Sequence, residues 1–160
     1  MGDWANYFVA TAGGAAALAG LVFVSVSLNL KKILEGKHLP GRAMGSLILL
    51  GNILISGSLC LVPRQSLVSL GIELGIVCSI VWVVITLTDI NMYRVAERVY
   101  KHYHCQNIVF GQCAILPFIA GVICLICGSF TGVYCLVAGI SFSFIKSLTD
   151  SWVLLVEINR

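Results

Sequence analysis

FTGVYCLVAGISFSFIKSLTDSWVLLVEI, residues Phe130 to Ile158, is apolar along most of its length yet carries a lysine and an aspartate in its interior. About 20 apolar residues suffice to cross a bilayer as a helix, so this block qualifies as a span. Lys146 and Asp150 stand four residues apart, which puts them one turn apart on one helical face. Ser143 and Ser147 lie beside them. An ionisable group inside a span is costly to bury, which makes it a candidate site with a partner to be found.

Four further blocks read the same way. With the first they give spans near Tyr7–Leu30, Ala43–Val62, Leu67–Thr88, Ile108–Gly128 and Phe130–Ile158. Of the 160 residues 59% are hydrophobic and 11% charged, well under the roughly 25% charge of a soluble domain. The mean hydropathy of +0.99 agrees. The runs are continuously apolar rather than alternating, so they predict helices and not a barrel. The fold expected is all-α: a five-helix membrane bundle forming one integral-membrane domain over residues 1–160. Only Asp3 is charged ahead of the first block, so the basic flank of a signal peptide is missing and the block reads as a mature helix.

The net charge of +3 is collected in loops and carries no nucleic-acid signal. Lys31, Lys32, Lys37 and Arg42 fall between the first and second spans, and Arg94, Arg98 and Lys101 between the third and fourth. The second connection has only Arg64, and the fourth has no basic residue. Basic loops stay in the cytoplasm, which predicts an N-terminus outside and a C-terminus inside. In the first loop, Leu39-Pro-Gly-Arg42 signals a turn into the second span. Pro63-Arg-Gln-Ser66 reads as a tight turn with Ser66 capping the next helix. Between Asp89 and Gln106, Tyr93, Ala96, Val99, Tyr100 and Tyr103 share a face, so the third helix is expected to continue as an amphipathic extension.

Small residues mark packing seams. Ala12, Ala16 and Gly20 recur every four residues in the first span, and Gly71 and Gly75 form a GxxxG in the third. Such spacing lets helix backbones approach closely, within one chain or between subunits. Gly132, Gly139 and Ser143 extend the pattern to the fifth.

The polar residues inside the spans are Asn29, Asn52, Glu73, Gln112, Lys146, Asp150 and Glu157. Three readings of the Lys146–Asp150 pair stand open: a polar face lining an aqueous or ion path, an anchor near the interface, or glue between subunits. Asn52 and Gln112 fit interhelical hydrogen bonding. Pro117 is expected to kink the fourth span.

Cys60, Cys124, Cys127 and Cys135 fall near the outer ends of their helices, and Cys124-Leu-Ile-Cys127 is a CxxC. A membrane thiol–disulfide oxidoreductase would use such cysteines, but its thiolate needs nearby positive charge and none is adjacent in sequence. A structural disulfide and plain apolar packing are the alternatives. His102-Tyr-His104-Cys105 offers too few ligands for a metal site. No phosphate loop, nucleophile elbow or catalytic carboxylate pair is present. The sequence therefore predicts neither cofactor, metal nor enzymatic activity.

Five stretches carry a resemblance: Ala12-Gly-Gly-Ala-Ala-Ala-Leu-Ala-Gly-Leu-Val-Phe-Val-Ser-Val-Ser-Leu-Asn29, Leu39-Pro-Gly-Arg-Ala43, Leu61-Val-Pro-Arg-Gln65, Gly71-Ile-Glu-Leu74 and Ser151-Trp-Val-Leu-Leu-Val-Glu-Ile158. In these the chain resembles a family of small bacterial membrane proteins of unassigned role, sometimes labelled modulators of a membrane-bound AAA protease. The resemblance implies a multi-pass protein of the bacterial inner membrane, without catalytic residues. Its expected surroundings are the lipid bilayer, further copies of itself and another membrane protein. The leading functional expectation is an oligomeric, channel- or transport-like protein with a polar face on its last helix. A regulatory subunit comes second and a thiol oxidoreductase third.

Overall fold

The structure, a computed structural model, describes residues 4–36, 39–95 and 101–158, with backbone alone at 95, 101–104 and 157–158. Every regular element among them is helical: α1 (Ala5–Leu28), α2 (Leu30–Glu35), α3 (Leu39–Cys60), α4 (Leu67–Val95), α5 (Lys101–Ile126) and α6 (Thr131–Ile158). Five of these are long and apolar enough to cross a membrane; α2 is a short turn-and-a-half between the first two. The protein is thus a multi-pass membrane helix bundle.

Side-chain distribution explains the fold better than helix propensity does. Large apolar groups such as Leu21, Phe23, Ile76, Ile80, Phe110 and Trp152 point outward. Serines, an asparagine, a lysine and two aspartates are buried. That inversion would leave a soluble protein prone to aggregation. In hydrocarbon it is the stable arrangement, because lipid solvates the outer leucines as well as a core does.

The buried stripes give the packing. On α6, Val133, Leu136, Ile140, Ser143, Ser147, Asp150 and Leu154 recur every three or four residues. On α3, Ala43, Ser46, Leu50, Ile53, Gly57 and Cys60 do the same. Such stripes let neighbouring helices pack side by side. α3, α4, α5 and α6 make the core; α1 lies against α3 and buries only Phe8, Ala12 and Ala15. Between the later half of α1 and α6 an apolar cleft of about 190 Å³ opens, lined by Leu21, Val22, Val26 and Leu155.

The GxxxG of α4 is an intramolecular seam. A Cβ at Gly71 would come within 2.9 Å of Ile126, and one at Gly75 within 3.2 Å of Val122. α5 and α6 meet even more closely: a Cβ on Gly132 would lie 2.6 Å from the Gly121 carbonyl oxygen. Gly139 makes room in the same way for the Phe118 ring. The turn joining α5 and α6 uses Gly128 at φ +76°. Its N–H donates to the Leu125 carbonyl and that of Ser129 to the Cys124 carbonyl, each at 2.9 Å, the double bond that closes a helix end at a left-handed glycine.

The α1 seam packs within the protomer only in part. Ala12 packs on Gly57 of α3, whose added Cβ would meet it at 3.1 Å. Ala16 and Gly20, with Gly13 and Ala17, face outward instead. Four-residue spacing drifts around a helix of 3.6 residues per turn, so the buried line passes through Phe8, Ala12 and Ala15 rather than Ala16 and Gly20.

Helix ends run further than the apolar runs suggest. α4 continues to Val95, seven residues past Thr88, in line with the expected extension; residues 96–100 lie outside the described residues. α5 runs through Pro117 without a break in helix assignment. Ser66 caps α4 by accepting from the Ser69 N–H at 3.1 Å.

Candidate functional site

Four helices bring their polar groups together at one end of the bundle: the start of α3, the later part of α4, the start of α5 and the later half of α6. Lys146 lies at the centre, 6% exposed, and donates to Asp150 on its own helix. Its second contact is across the interface, to the Asn107 side-chain oxygen of α5 at 2.9 Å. Asn107 in turn donates its amide to Asp89 of α4 at 3.3 Å. The guanidinium of Arg42, from α3, approaches Asp150 at 3.8 Å. One chain of contacts therefore runs Arg42–Asp150–Lys146–Asn107–Asp89 and touches every core helix.

The formal charges balance, two cations against two carboxylates, but the contacts do not. Asp150 has Lys146 on one oxygen and Arg42 near the other. Asp89 has only the neutral Asn107 amide, and its Oδ2 is buried without a hydrogen-bond partner among the described residues. A charge in low dielectric is tolerated when paired and hydrogen-bonded, so the two aspartates occupy unequal environments.

Two cavities flank the cluster. The outer one, about 190 Å³, is bounded by Arg42, Gln106, Phe110 and Thr149 and reaches Lys146 and Asp150. The inner one, about 20 Å³, lies among Gly45, Ile85, Met92 and Gly111 and is edged by Asp89. Arg42, Asn107, Lys146 and Asp150 border both. Packed serines close the side towards α3: Ser46 donates to the Ser147 carbonyl at 3.2 Å, and Ser147 returns a bond to the Ser46 carbonyl at 3.3 Å. Small hydroxyls on both faces let α3 and α6 approach while satisfying themselves.

Of the predicted polar residues, only Lys146 and Asp150 belong here. Asn29 sits between α1 and α2 and donates to the Ser25 carbonyl at 3.1 Å. Asn52 is buried mid-bundle against Cys78 of α4, with the thiol 3.9 Å from its oxygen. Gln112 bridges α5 to α4, accepting from the Trp82 indole at 3.0 Å and facing Thr86 at 3.3 Å. Glu73 is at the opposite end, holding the Gln65 amide at 2.6 Å across the α3–α4 turn. Asn52 and Gln112 thus act between helices, and Asn29 and Glu73 are local; the six residues form no continuous polar face. The side chain of Glu157 lies outside the described residues.

Arg42, Asp89 and Asn107 complete the site and were not among the predicted site residues: Arg42 reads as a loop cation and Asp89 as the start of the α4 extension. The signal for Asp89 was in its spacing: it ends the buried line Leu70, Leu74, Cys78, Ile85, Asp89. A charged residue that keeps the step of a buried stripe belongs to the helix interior.

All seven cysteines are free. Cys60 is buried, Cys124 and Cys135 half-buried, and Cys127 exposed. The side chains of His102 and His104 lie outside the described residues; no metal-binding group of His, Cys, Asp or Glu occurs among those that are described.

The architecture defines a class, the polytopic α-helical membrane proteins with a charged site inside the bundle. Comparison with protein-family models, curated proteins and solved structures finds no match.

Proposed function

We propose that this is a non-enzymatic, transport-like membrane protein that admits a small ion into the bundle from its charged end. The observation that carries this reading is the outer cavity, which leads from the protein surface to the buried Lys146–Asp150 pair. Buried charge of this kind marks ion paths and proton relays in membrane proteins. The basic residues Lys31, Lys32 and Arg94 lie at the same end, and the positive-inside rule supports a cytoplasmic side for it. At the other end the glycine contacts draw α4, α5 and α6 together, beside a cavity of about 260 Å³ at the α3–α4 turn. Five helices leave little room for a path within one protomer, so a complete path runs between copies, in a homo-oligomer of the bacterial inner membrane.

Ion flux into liposomes tests this. Wild-type protein is expected to pass ions, and Asp150→Asn and the double variant Lys146→Leu/Asp150→Leu to change the rate at least several-fold. The double variant removes both charges together, so it avoids stranding one of them. Absence of flux in wild type and variants alike rejects the transport reading.

A regulatory role, as in the protease-modulator family that the sequence resembles, is favoured by a separate observation. Gly13, Ala16, Ala17 and Gly20 present a small-residue face away from the bundle, and nothing lies within 4 Å of the Gly13 or Gly20 Cβ positions. Such a face suits close packing with a helix of another membrane protein. On this reading Gly20→Leu abolishes co-purification with a membrane-bound AAA protease, and Lys146→Leu does not.

A further inference from the structure

The inner cavity has the features of a proton site. Asp89 is 5% exposed and lines the cavity, and its buried Oδ2 has no donor among the described residues. A cavity needs about 10–15 Å³ to hold one water molecule, and this one measures about 20 Å³. Gly111 keeps the wall thin: a Cβ there would stand 3.1 Å from Asp89 Oδ2.

The charged groups around Asp89 decide which species fits. From α3 comes Arg42 and from α6 come Lys146 and Asp150; α5 contributes the neutral Asn107, and α4 itself lines the cavity with Thr88 and Met92. Both cations already lean on Asp150. A metal cation entering the inner cavity would meet Arg42 and Lys146 on its walls and a single free carboxylate oxygen. A proton needs only that oxygen, and a water beside it can accept from the protonated acid or donate to the ionised one.

We infer that Asp89 is a proton-binding site that exchanges with solvent, through one water in the inner cavity, along the Arg42–Lys146–Asp150 wall. In the exchange the water in the inner cavity gives one proton to Asp89 Oδ2 and takes one from a hydronium in the outer cavity. An O–H bond forms at Oδ2, the inner water exchanges one O–H bond for another, one O–H bond of the hydronium breaks, and both waters are left neutral; release is the reverse. Protonation leaves the cluster with Arg42 and Lys146 against Asp150 alone, a single positive charge. The inference rests on the same cluster as the transport reading but does not require flux.

Infrared difference spectroscopy of the full chain in nanodiscs, titrated in H2O and in D2O, tests it. The expected result is one protonated-carboxyl band that titrates and shifts in D2O. It should vanish in Asp89→Asn and persist in Asp150→Asn. Gly111→Ala, which crowds the same oxygen, should displace the band without removing it, and serves as the measure if Asp89→Asn does not fold. A titrating band lost from Asp150→Asn instead, or unmoved by both Asp89→Asn and Gly111→Ala, overturns the inference. The band with no liposome flux upholds the proton site and rejects transport; flux without the band does the opposite.

Discussion

The two ends of the bundle are held together by different means. At the end holding the α5–α6 turn, backbone meets backbone: Gly121 against Gly132, Gly71 against Ile126. At the other end side chains meet side chains, and two cavities remain between them. A glycine contact has no room for an added atom but is indifferent to charge. A charged cluster tolerates space, provided its sum of charge is kept. Each end should therefore fail to a different kind of substitution.

The largest effect is expected at the charged end. Lys146→Leu leaves Arg42 as one cation against Asp150 and Asp89, and loss of one member of a buried pair costs about 3–5 kcal/mol. Equilibrium unfolding in mixed micelles measures it; a loss comparable to that of a surface lysine would show that the cluster does not act as a unit. Second is the glycine end. Gly132→Ala puts a Cβ 2.6 Å from a carbonyl oxygen, and overpacking of that sort costs about 1–3 kcal/mol. Full tolerance in the same assay would mean that α5 and α6 separate freely. Third, Lys146→Leu/Asp150→Leu should regain most of what Lys146→Leu alone loses, since an apolar pair replaces an ionic one with little net change. A double variant as unstable as the single would place the loss in packing rather than charge. The smallest effect belongs to Gly20→Leu. No atom is near, so protomer stability should move by no more than about 0.5 kcal/mol. Its self-association, followed by energy transfer between labelled copies in liposomes, is expected to fall; unchanged transfer would remove α1 from the assembly face.

The sequence carried the architecture because lipid demands long apolar runs, and these are visible without any tertiary knowledge. Five spans, the Ser66 cap and the α4 seam at Gly71 and Gly75 were all legible. Span edges were less so. Asp89 reads as the start of the α4 extension and Asn107 falls between that extension and the next span, whereas both meet the Lys146 cluster inside the bundle. Lys146 and Asp150 stood out by contrast with their apolar neighbours; their partners did not, since partnership is a matter of four helices meeting. Of the α1 seam, Ala12 packs within the protomer while Ala16 and Gly20 face outward, because the face a helix buries depends on where its neighbour lies.

The chain of contacts from Arg42 to Asp89 also has an order in time. α3, α4 and α5 precede α6 in the chain, so they leave the ribosome before it does. Until α6 joins them, Arg42 and Asp89 have neither Lys146 nor Asp150 to face. The three earlier helices are therefore an incomplete electrostatic unit until α6 is made. Entry of α6 supplies one charge of each sign, so the cluster is completed by the helix made after the other three.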